Sequence, residues 1–258
     1  MKYIFSHWEK FSLKIKSSRQ VFLFLDYDGT LTPIVSRPKD ARLPISVKKI
    51  IKELNSSPRF TVAIISGRSL RDVRKMAGIR NIVYAGNHGL EIERGSGKMR
   101  KPAVSYSRPL LKSIKLYLDA ALQDIEGAQV EDKGPTLSVH FRRVSPESRA
   151  RVKIIFHDIL RPYIASRRLK VTSGKMVMEV RPAVDWHKGK AVLAILGASK
   201  ALPVYIGDDV TDTDAFLAIK GKGVSIFVGK PKKNIKADYY LKDTKEVELF
   251  LKQLFNLL

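Results

Sequence analysis

Five apolar positions in succession, Val21-Phe22-Leu23-Phe24-Leu25, run into Asp26-Tyr27-Asp28-Gly29-Thr30. An unbroken apolar run that ends in turn residues predicts a strand buried on both faces. Residues 60–65 and 82–85 repeat the pattern, ending in Ser66-Gly67-Arg68-Ser69 and Gly86-Asn87-His88-Gly89. Between the strands, Val47, Ile50, Ile51 and Leu54 recur at helical spacing. A second helix is predicted over 70–76, capped by Ser69 or its neighbours. Strand and helix in alternation predict a parallel sheet. Pro33, Pro38 and Pro44 mark an irregular loop, and residues 90–92, Gly95-Ser96-Gly97 and Met99 onward predict a hairpin. Ahead of all this, Ile4, Phe5, Trp8, Phe11, Leu13 and Ile15 predict an amphipathic helix over 1–18.

Near Pro102 the rhythm changes. A helix is predicted over 108–125, then strands over 129–132 and 136–142, joined at Lys133-Gly134-Pro135. A helix over about 146–163, with Ser145 as its cap, precedes strands over 169–172 and 176–181 that turn at Ser173-Gly174-Lys175. This is α-β-β stated twice, an inserted α+β module. After Pro182 the first rhythm returns, with helices over 188–196 and 212–219 and strands over 203–206, 223–228 and 239–241. Val247, Phe250, Leu251, Leu254 and Phe255 share one face of a last helix, with Thr244 as the expected cap. The expectation is an α/β protein with a discontinuous core domain, 1–103 and 182–258, and an inserted domain, 104–181.

The apolar fraction is 44%, enough for a packed core. The absence of cysteine excludes disulfides and thiolate metal sites and suits a reducing cytosol. No window approaches 18 uninterrupted apolar residues, and residues 1–20 lack the apolar stretch and small-residue site of a signal peptide. The net charge is +23, but the basic residues are spread along the whole chain. A diffuse excess of this kind does not by itself point to nucleic acid.

The polar residues gather at strand ends. Asp26 and Asp28 close the first strand, Ser66 the second, Asn87 and His88 the third, and Asp208 and Asp209 the strand over 203–206. In an open parallel sheet these ends can converge on one crevice. Asp26 and Asp28 would point the same way on a continuing strand, and two such carboxylates repel unless a cation or a proton lies between them. Magnesium suits a hard oxygen site of this type.

Asp26-Tyr27-Asp28-Gly29-Thr30, Ser66, Lys188-Gly189 and Gly207-Asp208-Asp209 resemble, in order, the four motifs of the haloacid-dehalogenase-like (HAD-like) phosphatases. Ala85-Gly86-Asn87-His88-Gly89-Leu90-Glu91-Ile92, Glu131-Asp132-Lys133, Ser138-Val139-His140-Phe141-Arg142, Glu179-Val180-Arg181-Pro182, Trp186-His187-Lys188-Gly189-Lys190-Ala191 and the segment Asp208 to Phe216 narrow the resemblance to the trehalose-6-phosphate phosphatases. It covers roughly residues 20 to 230. It implies a HAD-like Rossmannoid core with a parallel sheet and an inserted α+β cap (αββαββ, C2-type) that closes over the substrate.

The resemblance also implies roles. Asp26 would be the nucleophile, forming an aspartyl-phosphate from trehalose 6-phosphate. Asp28 would be the acid and base, Ser66 a hydrogen-bond donor to the phosphoryl group, and Lys188 its neutralising charge. Magnesium would be held by Asp26, the backbone carbonyl of Asp28, and Asp208, with Asp209 or Asp212 close by. Thr30 would help hold the loop or the phosphate. Glu131, Lys133 and Glu179 would read the sugar, Asn87, His88 and Asp209 would border the substrate, and His140 would be structural. A related sugar phosphatase, acting on sucrose phosphate or a glycosyl-glycerate phosphate, is the alternative. A basic nucleic-acid-associated protein on the same scaffold is a more distant one. The expected partner is a phosphorylated disaccharide, with no membrane or nucleic acid, and the expected state is a cytoplasmic monomer. Two positions depart from the family pattern: Thr213 replaces the usual Glu, and His187 stands where Asp or Asn is common.

Overall fold

The structure, a computed structural model, describes residues 1–35, 37–95, 99–100, 107–174 and 176–258. The chain divides into two compact units, Met1–Arg100 with Trp186–Leu258, and Lys101–Asp185. The predicted change of rhythm at Pro102, the turn over 96–98 and Lys175 fall outside the described residues.

The first unit runs β1 (Lys2–Tyr3), α1 (Trp8–Ser17), β2 (Val21–Leu25), α2 (Ile45–Ser56), β3 (Phe60–Ile65), α3 (Leu70–Ala77), β4 (Val83–Gly86), β5 (Glu91–Glu93) and β6 (Met99–Arg100). After the second unit it continues with α6 (Lys188–Leu196), β11 (Leu202–Gly207), α7 (Thr213–Ala218), β12 (Val224–Val228), β13 (Tyr239–Leu241) and α8 (Thr244–Phe255). Its sheet has the order β1-β13-β12-β11-β2-β3-β4-β5-β6, parallel from β1 to β4 and antiparallel over β5 and β6. β2 is central, with β3 on one side and β11 on the other. The chain therefore winds outward in both directions from β2, and the strand order reverses between β2 and β11, the place where open α/β sheets bind ligands at the C-terminal strand ends.

Both faces of β2 are covered, which is why its five residues are all apolar and all buried. Val21, Leu23 and Leu25 face a layer built from α1, α2, α3 and α8, with Phe11, Ile51, Val73 and Phe250 at its centre. Phe22 and Phe24 face α6 and α7, packing with Val192, Ile195, Tyr205 and Phe216. The result is a three-layer arrangement of helices on both sides of one sheet.

Two expectations at the termini are corrected. Residues 1–18 are not one helix: Lys2 and Tyr3 pair with Tyr239 and Tyr240 as an edge strand, and the helix starts at Trp8. A two-residue strand carries no readable alternation, so its pairing comes from β13. The last helix is capped by Asp243, not Thr244. Asp243 Oδ1 accepts from Lys245 N and Glu246 N, satisfying two of the free donors of the first turn.

The second unit comprises α4 (Arg108–Leu122), β7 (Gln129–Asp132), β8 (Leu137–His140), α5 (Arg149–Ala165), β9 (Leu169–Gly174) and β10 (Val177–Pro182). It is α-β-β repeated, with an antiparallel sheet ordered β7-β8-β10-β9. α5 begins at Arg149, after a short 3-10 turn over Pro146–Ser148. One sheet face is apolar, with Leu137, Val139, Met178 and Val180 packed on Ile114, Leu118, Val152 and Phe156 of the two helices. The other face is polar. No helix among the described residues is long and apolar enough to cross a membrane.

Candidate active site

The organising feature is the C-terminal edge around β2. Asp26 N donates to Ile206 O at 2.9 Å, which extends the β2–β11 pairing by one residue and places Asp26 at the C-terminal edge of the sheet. Asp26 is 5% exposed. Carboxylate oxygens of Asp26, Asp208 and Asp212 lie within 4.8 Å of one another. Two glycines make this approach possible. A Cβ on Gly29, whose φ is +89°, would lie 2.2 Å from the Asp208 carboxylate, and a Cβ on Gly207 would lie 2.3 Å from Asp212 Cγ. Only a residue without a side chain fits at either place. Thr30 is fully buried and its hydroxyl donates to Asp208 Oδ1 at 3.4 Å.

Lys188 is the first residue of α6 and is 3% exposed. Its Nζ donates to Asp26 Oδ1 and to Asp212 Oδ1, at 2.7 Å each. Asp212 Oδ1 also accepts from the buried Tyr205 hydroxyl at 2.7 Å, while its Oδ2 accepts from Asp209 N at 3.0 Å. Burial pushes the Asp26 carboxyl well above the usual range; Asp212 and Asp208 add to this and Lys188 opposes it. For Lys188, burial disfavours the charge, but the attraction of Asp212 and Asp26 outweighs it and raises the pKa. The lysine stays charged and binds the two acids together.

The reading of Asp26 and Asp28 as one pair aimed at a single point does not hold. The chain turns after Asp26, with Gly29 N donating to Thr32 O, and the Asp28 carboxylate goes to Arg68. Arg68 Nε and Nη2 contact Asp28 Oδ2 and Oδ1 at 2.6 and 2.5 Å. Arg68 has no role among the expected site residues, although its place two residues after Ser66 is a usable signal. Tyr205 was missed as well, because a tyrosine in a buried apolar strand reads as packing.

Ser66 closes β3, next to β2, and is 1% exposed. Its Oγ accepts from Arg68 N at 3.1 Å, and its carbonyl accepts from His88 N at 2.9 Å. Asn87 is fully buried; its amide donates to Glu91 Oε2 at 2.9 Å and its backbone N to Arg68 O at 2.7 Å. The His88 ring packs where a Cβ on Gly67 would stand. The turn after β4 thus braces the Ser66–Arg68 loop. Of the acids that follow β11, Asp212 joins the carboxylate cluster and Asp209 does not. Asp209 is exposed, and its Oδ1 accepts from Val210 N as a helix cap.

In the second unit the register aligns Glu131 with Ser138 and Ser138 with Glu179, a row across β7, β8 and β10 on the polar face. Lys133 Nζ donates to Glu179 Oε2 at 3.1 Å, Ser138 Oγ donates to the same oxygen at 3.2 Å, and His140 Nε2 lies 2.7 Å from Glu131 Oε2. Glu179 is 7% exposed.

A sheet that winds outward from a central strand, with a carboxylate cluster and a buried lysine at its C-terminal edge and an αββαββ insertion, defines the HAD-like hydrolase fold. The fold matches a haloacid dehalogenase-like hydrolase from Bacteroides thetaiotaomicron at 14% identity and a TM-score of 0.66, over 91% of this chain and 99% of that one. The trehalose-phosphatase family model matches residues 24–245, and the chain belongs to that family. It is 36% identical over 254 residues to trehalose-phosphate phosphatase B of Arabidopsis thaliana, covering 92% of this chain and 66% of that protein. The chain therefore spans about two thirds of that relative's length. The C-terminal domain of the C. albicans trehalose-6-phosphate phosphatase superposes with a TM-score of 0.81 at 25% identity, over 97% of both chains.

Proposed function

We propose that this chain hydrolyses trehalose 6-phosphate to trehalose and phosphate through an aspartyl-phosphate on Asp26. The observation that carries the mechanism is Lys188 bonded at once to Asp26 and Asp212 in a buried cluster at the sheet edge. That arrangement sets a buried cation against the Asp26 carboxylate, opposing the effect of burial, and fixes its direction, as a carboxylate nucleophile requires. Family membership supports this substrate over the related sugar phosphates and over a nucleic acid.

In the first half of the reaction an Asp26 oxygen bonds to phosphorus while the bond from phosphorus to the sugar oxygen breaks, and Asp28 supplies the proton that oxygen needs. In the second half Asp28 takes a proton from water as the water oxygen bonds to phosphorus. The acyl-phosphate bond then breaks, regenerating Asp26 and releasing phosphate. Ser66 donates a hydrogen bond to the phosphoryl group and Lys188 offsets its charge.

Three carboxylates whose oxygens lie within 4.8 Å of one another fit a hard divalent cation, which would offset the repulsion among them alongside the charge of Lys188. Asp26 and Asp208, with the backbone carbonyl of Asp28 and with Asp212 beside them, would hold magnesium. When bound, that ion offsets the charge between carboxylate and phosphoryl oxygens.

In the inserted unit, Glu131, Lys133 and Glu179 supply acceptors and a donor for sugar hydroxyls. A site that pairs such groups rejects analogues that leave them unpaired. Asn87, His88 and Asp209 are assigned to the border of the substrate, and the chain acts as a monomer in a reducing cytosol.

The test is phosphate release from a panel of phosphorylated sugars with magnesium. Trehalose 6-phosphate should turn over with the highest kcat/KM. If glucose 6-phosphate or sucrose 6-phosphate matched it, the substrate reading would fail.

A further inference from the structure

Arg68 makes a two-point contact with Asp28, through Nε at 2.6 Å and Nη2 at 2.5 Å, one to each carboxylate oxygen. We propose that Arg68 is a positioning residue that fixes the Asp28 carboxylate for both proton transfers. This rests on the assignment of Asp28 as the acid and base.

The hydrogen bonds described for the Asp28 carboxylate come from Arg68. The Asp28 side chain is 37% exposed, and the next residue is a glycine at positive φ. Arg68 is held well. Its guanidinium lies 5.6 Å from the centre of the Tyr27 ring, and its Nη1 is 3.1 Å from Met76 Sδ. Its backbone is tied on both sides, N to Ser66 Oγ and O to Asn87 N. Tyr27 itself is buried, with its hydroxyl on Ala41 O at 2.9 Å. The chain has thus built a braced arm that ends on a half-exposed carboxylate.

Stability does not account for such an arm, because an ion pair with a partly exposed partner contributes little. Orientation does. A planar fork selects one rotamer and one plane for the carboxylate, which a lysine point charge cannot do. A carboxylate has about four lone-pair sites, so the fork takes two and leaves the others to face a reacting oxygen. Arg68 cannot transfer the proton itself, since a guanidinium does not give one up at working pH. Its effect therefore passes through Asp28, and proton transfer depends steeply on placement within hydrogen-bond reach.

The experiment is a double-mutant cycle of Arg68→Gln and Asp28→Asn on the whole chain, read as kcat/KM for trehalose 6-phosphate and for 4-nitrophenyl phosphate. Arg68→Gln should lower the sugar-phosphate value about 10- to 100-fold, part of the roughly 100- to 10,000-fold that general acid–base catalysis contributes. It should change the aryl-phosphate value less than about threefold, because nitrophenolate leaves without a proton. In the Asp28→Asn background the same substitution should change the sugar-phosphate value less than about twofold, since residues acting as a unit are not additive. Arg68→Lys, which keeps the charge and loses the fork, should fall between wild type and Arg68→Gln, and it carries the cycle if the glutamine variant does not fold. Equal losses on both substrates, or equal losses in the two backgrounds, would overturn the proposal. A wild-type enzyme inert to trehalose 6-phosphate but active on another sugar phosphate would overturn the substrate reading alone, and the cycle on that sugar would still judge Arg68.

Discussion

Lys188 Nζ stands 2.7 Å from Asp26 Oδ1, although 162 positions separate the two residues in the chain. The contact forms because α6 follows the inserted unit and packs on the Phe22–Phe24 face of β2. Its first residue is thereby brought to the end of the strand that bears Asp26. Removing either partner should therefore have a distinct signature.

Asp26→Asn keeps the size and removes the nucleophile. Phosphate release should fall at least about 1,000-fold, as expected when a covalent route is closed. The circular dichroism spectrum should be unchanged, because Lys188 keeps Asp212 as a partner. Residual turnover near wild type would exclude an aspartyl-phosphate at this position.

Lys188→Met leaves two buried carboxylates without their shared cation. Breaking a buried ion pair from one side costs about 3–5 kcal/mol, so the urea midpoint should drop by a corresponding amount, together with activity. A variant as stable as wild type would show that the lysine does not neutralise the cluster.

Chelation should separate metal from protein. Activity should vanish in EDTA and return with magnesium. Thermal stability of the free enzyme should also rise with magnesium, because a ligand that binds the folded state stabilises it. Asp208→Asn should lose most of that thermal shift. Full activity in EDTA would dismiss the metal.

Lys133→Met should act on sugar recognition. KM for trehalose 6-phosphate should rise about tenfold, the effect of removing one binding interaction, while kcat for 4-nitrophenyl phosphate stays within about twofold. A fall in kcat for the aryl ester would mean that Lys133 serves the chemistry instead.

Alkaline pH offers a test of the core. The Tyr84 hydroxyl is buried and exchanges hydrogen bonds with Ile79, donating to its carbonyl at 2.8 Å and accepting from its N–H at 3.2 Å. Burial raises its pKa from 10.0 to about 12, and burial does the same for Tyr27. A folded-state pKa above the unfolded one gives stability that is complete below pH 10 and is lost as pH rises toward 12. Urea unfolding between pH 9 and 12 should show this decline, and Tyr84→Phe should make it shallower. An unchanged slope in the variant would rule Tyr84 out as a contributor.

Much of this protein was legible in one dimension. The run 21–25 and the largely apolar segment 60–65 read as strands buried on both faces because each is short and stops at turn residues. The doubled α-β-β pattern marked the second unit, and the polar strand ends marked the edge where the carboxylates of Asp26 and Asp208 gather. These are local signals: periodicity, turn residues and acids where an apolar run stops.

What the sequence could not decide was which polar group meets which. Asp26 and Asp28 look equivalent at spacing two, yet the turn at Gly29 sends one carboxylate to Lys188 and the other to Arg68. Asp209 and Asp212 were interchangeable on paper, and the helix that starts after Asp209 carries Asp212 inward to Lys188 and Tyr205. The pairing of Lys2 and Tyr3 with β13 was equally out of reach. The diffuse +23 charge has no account in the structure. Such pairings depend on directions set by packing between distant segments, where one strained turn or one missing Cβ selects the partner, and only the folded chain holds that information.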